Sequence, residues 1–411
     1  MRRARVAAIL LLGAALRPAG ARALEWVPIG GVTALGGLHT FNGSSGSFSG
    51  NLDGAFAPAV RWSEDWSLLP SVHAVYEGTR RLTDVLGTAT AAQQSAEGRL
   101  GLRAVYGDPA SRWRFKPTMT YDVELVKETP AENWGQGLFD QRRLTVGGEV
   151  ELLTGESHSV RAGVNWFTVA YPNYTTLESQ AALQFQGQSL ARELVGDRAL
   201  DREGYEFSLA GDAALGQRLE AEGKAGVAWS RFAHQPLVDE GGQFETQSRQ
   251  DVLTDLSFAL RMPHAWNADL RALGAFEAGL TANSSNQNGY DASRGQFLPG
   301  FYDFVEWRAA PSVTLIVGPV RRPVTATLKL GWKRRSYAHR PPQDSTGAYG
   351  SGSLASTEWS GGFSLSYPMT ARLALLFDVE RASASSNQDF QAFYRYSYEA
   401  TTALAGVRWD W

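Results

Sequence analysis

Apolar and polar residues alternate with a period of two along most of this chain, and residues 324–333 show the rhythm most plainly. Val324, Ala326, Leu328, Leu330 and Trp332 fall on one side of an extended strand, and Thr325, Thr327, Lys329, Gly331 and Lys333 on the other. About a dozen further segments of ten or more residues repeat this. Between residues 113 and 125 the apolar set is Trp113, Phe115, Pro117, Met119, Tyr121, Val123 and Leu125, against Arg112, Arg114, Lys116, Thr118, Thr120, Asp122 and Glu124. Leu144, Val146, Val150 and Leu152 oppose Arg143, Glu149 and Glu151; residues 219–229 keep Glu220, Glu222 and Lys224 on one side. Leu373, Leu375, Phe377 and Val379 likewise oppose Arg372, Asp378 and Glu380. A charge facing lipid at mid-bilayer costs ~2–4 kcal/mol, so confining charges to one parity over so many strands predicts a transmembrane β-barrel with a polar interior.

Alternation and Gly/Pro/Asn/Ser punctuation together predict an all-β, closed antiparallel barrel of about sixteen strands, each with its connection taking about 24 residues. Short connections are expected at 63–65, 107–111, 155–157, 216–218, 263–267, 318–323 and 368–371. Long ones are expected at 83–94, 130–137, 173–202, 236–245, 283–300, 338–353 and 383–393. In barrels of the outer-membrane type this asymmetry marks tight periplasmic turns and long extracellular loops, which puts both termini in the periplasm. Within 173–202, Leu177, Ala181 and Phe185 have helical spacing, whereas Ala181, Leu183 and Phe185 alternate as in a hairpin; both readings stand. Pro58, Pro70, Pro117 and Pro311 interrupt strand patterns, and each requires a bulge or a ladder break because proline has no N–H to donate.

The N-terminus adds a compartment. Arg2, Arg3 and Arg5 precede an apolar run over 6–16, and Ala21-Arg22-Ala23 offers a cleavage site after Ala23. Residues 1–23 therefore read as a secretory signal peptide and 24–411 as the barrel domain; the apolar run is too short for a membrane anchor. Without the leader, Lys+Arg falls from 39 to 34 against 42 Asp+Glu, a net charge of −8 that argues against a nucleic-acid partner. Cysteine is absent, which excludes disulfides and thiolate metal sites. A mean hydropathy of −0.26 fits strands of which only half the residues meet lipid.

Aromatic residues gather toward strand ends, where amphipathic rings suit the headgroup zone: Trp166 and Tyr171, Trp229 and Phe232, Trp332 and Tyr337, and Tyr394, Tyr396 and Tyr398. The last strand closes Gly406-Val407-Arg408-Trp409-Asp410-Trp411. This resembles the C-terminal insertion signal of Gram-negative outer-membrane β-barrel proteins, a glycine followed by two alternating aromatics. The resemblance implies a multi-pass barrel in the cell outer membrane, in contact with outer-membrane lipid and lipopolysaccharide, and it casts Gly406, Trp409 and Trp411 as the signal read by the barrel-assembly machinery. Leu404 departs from the pattern, which usually has a polar residue there.

Candidate chemistry is sparse. Of six histidines, only His73 shares inward parity with a nucleophile, Ser71, and an acid, Glu77, and a lumen polar pair is the simpler reading. No spacing of ligands suits a metal, no glycine loop suits a phosphate, and no cofactor is expected. The strongest basic groupings are Arg112, Arg114 and Lys116, and Lys333, Arg334 and Arg335. With Lys224 and Lys329 they either form a charged constriction or pair across strands with Glu149, Glu151, Glu220, Glu222, Asp251 and Asp255. Small residues Ala55, Ala57 and Ala59, read as outward, suggest a flat wall for subunit contact. The chain reads as a non-enzymatic pore or conduit for small polar solutes, or an export channel for a polymer such as polysaccharide. The alternatives are a receptor, adhesin or structural barrel with a blocked lumen, and a membrane-embedded hydrolase.

Overall fold

The computed structural model describes residues 25–42, 47–61, 63–83, 89–107, 111–127, 132–155, 158–175, 183–185, 188–190, 197–216, 218–291, 294–390 and 396–411. The expected leader, Tyr394 and half of 173–202 lie outside them. Sixteen long strands among the described residues build the wall: β1 Gly30–Phe41, β2 Ser47–Phe56, β3 Trp66–Thr83, β4 Ala89–Tyr106, β5 Trp113–Lys127, β6 Gln141–Gly155, β7 His158–Ala170 and β8 Arg202–Ala214. They continue as β9 Glu220–Val238, β10 Phe244–Ala265, β11 Leu270–Ser285, β12 Phe304–Val317, β13 Val324–Tyr337, β14 Ala355–Pro368, β15 Leu373–Ser386 and β16 Tyr398–Asp410. Each pairs antiparallel with its sequence neighbours, and β1 closes on β16 in a register running from Gly31↔Asp410 to Phe41↔Ala400. Closure leaves no unpaired sheet edge, the condition for strands to cross hydrocarbon.

Parity sorts the two solvents. Leu328 and Leu330 stand 57 % and 54 % exposed on the outer face, opposite Val313, Phe363 and Gly361 of the neighbouring strands. Lys329 between them faces the interior, beside Ser312 and Gly362. Tyr205, Phe207 and Leu209 of β8 pair with Trp229, Val227 and Ala225 of β9 on the same outer surface. Such a continuous apolar exterior is stable only against lipid. Rings collect at both of its borders: Trp66 and Tyr106, 4.9 Å apart, with Trp409 and Trp411 at the end that holds the described termini, and Tyr205, Trp229, Trp332 and Trp359 toward the other. The chain is a multi-pass β-barrel of outer-membrane architecture.

Connections at the terminus-bearing end are short, as between Gly155 and His158 or Pro368 and Leu373. Gly216 (φ +74°) and Gly318 (φ +95°) supply the left-handed backbone that two of these turns need. At the opposite end the segments after Ala170, Ser285 and Tyr337 are long. Two expected long loops contract, because β9 and β10 keep pairing to Val238↔Phe244 through two register shifts, and β3 and β4 run on to Thr83↔Ala89. The 173–202 connection holds a hairpin, Leu183–Phe185 against Gln188–Leu190, which decides for the alternating reading over that stretch.

Each awkward proline sits where a ladder is broken. Pro311 lies in the gap between Ala309↔Trp332 and Ser312↔Lys329, and Pro117 in the gap between Arg103↔Thr118 and Tyr106↔Phe115. Pro70 faces the break between β2, which leaves β3 at Val72, and the short strand Ala59–Arg61, which joins β3 at Leu68; Pro58 lies within that break. Ala55 corrects the flat-wall reading: it shares inward parity with Asp53, since Phe48 and Leu52 hold the outer face.

Candidate functional site

Alternation turns nearly every charged side chain of the wall toward the lumen, and register then decides which of them meet. The pairings Lys116↔Glu149 and Arg114↔Glu151 bring opposite charges together across β5 and β6. Lys116 Nζ lies 3.2 Å from Glu149 and 3.0 Å from Glu151, with Arg114 3.6 Å from Glu151. Arg112 stands apart: it lies exposed in the connection before β5, where its carbonyl accepts a hydrogen bond from the Leu153 N–H at 2.8 Å. Farther round the wall Arg161 reaches Asp212 (3.2 Å) and Glu222 (3.8 Å), and Glu222 is held again by Lys224 (2.9 Å) and Arg261 (3.4 Å). Glu220, at the first position of β9, is exposed, as is Lys329. Arg308 grips Asp255 with one nitrogen at 3.0 and 2.9 Å from its two oxygens.

The run Lys333-Arg334-Arg335 is not one basic cluster. Lys333 and Arg335 point inward to Glu358 (3.6 Å) and Glu306 (2.7 Å), while Arg334 is exposed on the outer face, opposite Trp307. Asp251 belongs to Arg249, at 2.6 Å, rather than to either basic grouping. Exposed pairs such as Arg308 with Asp255 contribute little to stability, whereas Arg249 with Asp251 and Arg335 with Glu306 are largely buried. Their effect is on the lumen: positive and negative groups alternate around it, and no single sign dominates the field.

A void of about 850 Å³ lies against the inner faces of β3 to β8, bordered by His73, Arg99, Arg103, Asp122, Arg143 and Arg202. A second of about 270 Å³ lies against β9 to β12 beside Glu222, Lys224, Arg261 and Arg308. Ser71 and His73 border the larger one, but the imidazole Nε2 is engaged by Asp53 at 2.9 Å, with Asp53 supplied by β2. Two of the guanidinium groups on this border are likewise engaged by carboxylates, Arg99 by Asp122 and Arg143 by Glu206.

Several aromatics expected at the headgroups turn inward instead. Trp166, Trp229 and Trp332 hold the outer parity, but Tyr171, Phe232 and Tyr337 follow them by odd separations and so fall on the other face, buried, as are Tyr396 and Tyr398. Phe167, Val169, Tyr171 and Tyr174 pack with Ala199 and Leu200; Tyr337 packs with Leu354, Tyr396 and Phe304. Guanidinium groups stack among them. Arg249, 6 % exposed, lies 4.4 Å from Phe232 and 4.1 Å from Tyr302, and Arg340 lies 4.4 Å from Phe301. The long connections are thereby fastened to the inner rim of the mouth opposite the termini. The available signal was the loss of alternation at strand ends, as in Trp166-Phe167-Thr168-Val169-Ala170-Tyr171, where apolar residues occupy both parities.

Ionisable groups in this rim have shifted properties. Burial pushes the Asp140 carboxyl above its usual value against the pull of hydrogen bonds from the Val126 and Gly137 backbone. Burial, with Asp291 beside it, pushes the Tyr349 phenol up to about 12. Donors from Thr346 and Ala348 hold the Asp344 carboxyl below its usual value.

At the C-terminus, Trp409 is 50 % exposed on the outer face, and Trp411 packs against it with ring centroids 5.4 Å apart while its backbone N–H donates to Gly30 O at 3.1 Å. Gly406 lies in the closing seam. A Cβ there would collide with the Ala34 carbonyl oxygen and sit 2.8 Å from Ala34 C and 2.9 Å from Leu35 Cα. Leu404, the departure from the terminal pattern, points inward and is buried opposite Gly37.

No family model matches the chain, and no curated protein matches it. Among solved structures it is similar to the outer membrane channel DcaP of Acinetobacter baumannii, with a TM-score of 0.45 and 9 % identity over 96 % of this chain and 100 % of that one. It is also similar to a bacterial polysaccharide outer membrane secretin (TM-score 0.45, 6 % identity, 93 % and 98 % covered). OmpT, an outer membrane protein of Vibrio cholerae, gives a TM-score of 0.43 at 11 % identity, with 96 % and 100 % covered.

Proposed function

We propose that this barrel is an outer-membrane pore for small polar solutes, inserted by the barrel-assembly machinery with its termini in the periplasm and its long connections outside the cell. The observation that carries the reading is the contrast between an apolar exterior and an interior lined by both signs of charge around a void of about 850 Å³. A charged lining of this kind is hydrated, and hydrated space through a lipid-spanning wall is a conduit. Mixed charge favours weak ion selectivity and suits neutral or zwitterionic solutes. A polymer such as polysaccharide is the larger substrate the same lining accommodates. Binding comes from lumen charges and mouth aromatics; Ser71 and His73 serve as lining.

The inward-fastened connections favour one competing reading, a barrel whose mouth is closed and whose outer loops bind. Planar-bilayer recording of the purified protein separates the two. The pore reading expects discrete conductance steps that increase when residues 173–202 are shortened. Folded protein that inserts but stays silent in both forms refutes it.

A further inference from the structure

The void of about 270 Å³ against β9 to β12 holds one charge that the wall leaves unanswered. Five charged side chains border it: Glu222, Lys224, Arg261, Glu277 and Arg308. Glu222 takes Lys224 at 2.9 Å and Arg261 at 3.4 Å, and Arg308 grips Asp255 at 2.9 Å. Glu277 is exposed to the lumen and has neither an ion pair nor a hydrogen bond among the described residues. Register explains its isolation. Directly opposite it stand Ala259 on β10 and Ala310 on β12, which offer no partner. Its charged diagonal neighbours are Arg261, two positions nearer the terminus-bearing end, and Arg308, two positions nearer the other. Arg261 turns to Glu222 on β9, while Arg308 crosses β11 over Gly279, where a Cβ would lie 2.7 Å from its Cζ, to reach Asp255 on β10. The hold on Arg261 is loose, 3.4 and 3.5 Å from one Glu222 oxygen, and Glu222 keeps Lys224 without it.

This arrangement selects by charge. A simple cation drawn to Glu277 meets Arg261 and Arg308 on either side, and a simple anion drawn to those guanidinium groups meets Glu277, so a molecule carrying both signs close together is favoured over either. Diagonal cross-strand neighbours stand ~7–8 Å apart, near enough for a ligand with both charges on a single carbon to touch the two side chains. The void is also smaller than the ~300–1,000 Å³ of pockets that take drug-sized ligands, which limits its occupant to a small molecule.

We propose that this void is a binding site for a zwitterionic α-amino acid with a small side chain, with Glu277 accepting hydrogen bonds from its ammonium group and Arg261 turning from Glu222 to donate to its carboxylate. Arg308 stays with Asp255 and bounds the site toward the loop-bearing end. The inference rests on the pore reading, because the site faces the lumen, and it names one solute class within that reading.

The test is equilibrium dialysis of radiolabelled L-alanine against the full-length protein refolded in detergent, with folding of every variant checked by heat-modifiable migration. Propionate and ethylamine, which are alanine without its ammonium and without its carboxylate, are dialysed in parallel. A hydrogen bond to a charged group is worth about tenfold or more in affinity, so both analogues are expected to bind at least about tenfold more weakly than alanine. Glu277→Gln is expected to weaken alanine by about tenfold and, by removing the repelling carboxylate, to strengthen propionate, an exchange of preference that a general disturbance of the wall does not produce. Arg261→Gln is expected to weaken alanine to a similar extent. Arg334→Gln, which removes an exposed charge from the outer face, is expected to leave alanine binding within about twofold. No saturable alanine binding by the folded protein, equal binding of alanine and propionate, unchanged alanine binding in Glu277→Gln, or an equal loss in Arg334→Gln each overturns the site. Dialysis needs no conduction, so a protein that conducts in bilayers but fails here loses the site and keeps the pore, and one that binds here but stays silent in bilayers keeps the site and loses the pore.

Discussion

Replacing Gly406 by alanine separates two roles that fall on one residue. As part of a terminal signal, Gly406 matters while the chain is being inserted; as a seam residue, it matters in the finished barrel. The seam role follows from contact: the added methyl meets backbone atoms of β1, the Ala34 carbonyl and Leu35 Cα, which cannot rotate away as a side chain can. The two strands must separate locally, loosening the ladder on either side of Leu35↔Gly406. Overpacking of this kind costs ~1–3 kcal/mol, and two weakened ladder bonds add ~0.5–1.5 kcal/mol each, so Gly406→Ala is expected to lose about 2–6 kcal/mol. The matched controls are Gly98→Ala and Gly223→Ala, where a Cβ meets nothing within 4 Å. Both should be neutral or stabilising by up to ~1 kcal/mol, because alanine restricts the unfolded chain. Urea titration of barrels refolded into lipid, with no assembly machinery present, reads the difference. Should Gly406→Ala unfold at the same urea concentration as the controls, the seam argument fails, and any defect seen in cells belongs to recognition during insertion.

Parity predicts an asymmetry on β13. Leu328→Lys places a charge in the lipid belt and should cost ~2–4 kcal/mol in the same titration, whereas Lys329→Leu, one residue away in the lumen, should change stability by less than ~0.5 kcal/mol; equal effects would contradict the assigned faces. Tyr349 should ionise at a pH well above that of an ordinary tyrosine. Its folded pKa of about 12 exceeds the usual 10, so its contribution is complete below pH 10 and is lost as pH rises from 10 toward 12. Difference absorbance at 295 nm between the unmodified protein and Tyr349→Phe should show a missing step near pH 12; a missing step near 10 would mean that the phenol is not buried against Asp291.

Much of the fold was legible because strand alternation is a local property. The face of Leu328 or Lys329 depends only on its neighbours two positions away, and the prolines announced ladder breaks for the same reason. The candidate site was legible as a set of inward charges but not as a set of pairs. Lys116 and Glu149 share inward parity on strands consecutive in the chain, yet which residues face each other across a long connection follows from register alone; Lys333 and Arg335 meet Glu358 and Glu306 from opposite flanking strands, and Arg334 leaves the group because consecutive residues face opposite solvents. Tyr171, Phe232 and Tyr337 were read by proximity to a rim when parity put them inside it.

Residue order along the chain by itself determined the strands, their count, which side of each meets lipid and which end carries the long connections, since all of these follow from the two-residue repeat and its interruptions. Only the closed tertiary structure decided which charges neutralise one another, which glycines have no room for a methyl group, and how the outer connections fold back onto the inner rim. Those outcomes depend on register between strands and on the meeting of β1 with β16, contacts between residues as far apart as Gly31 and Asp410, which no local pattern specifies.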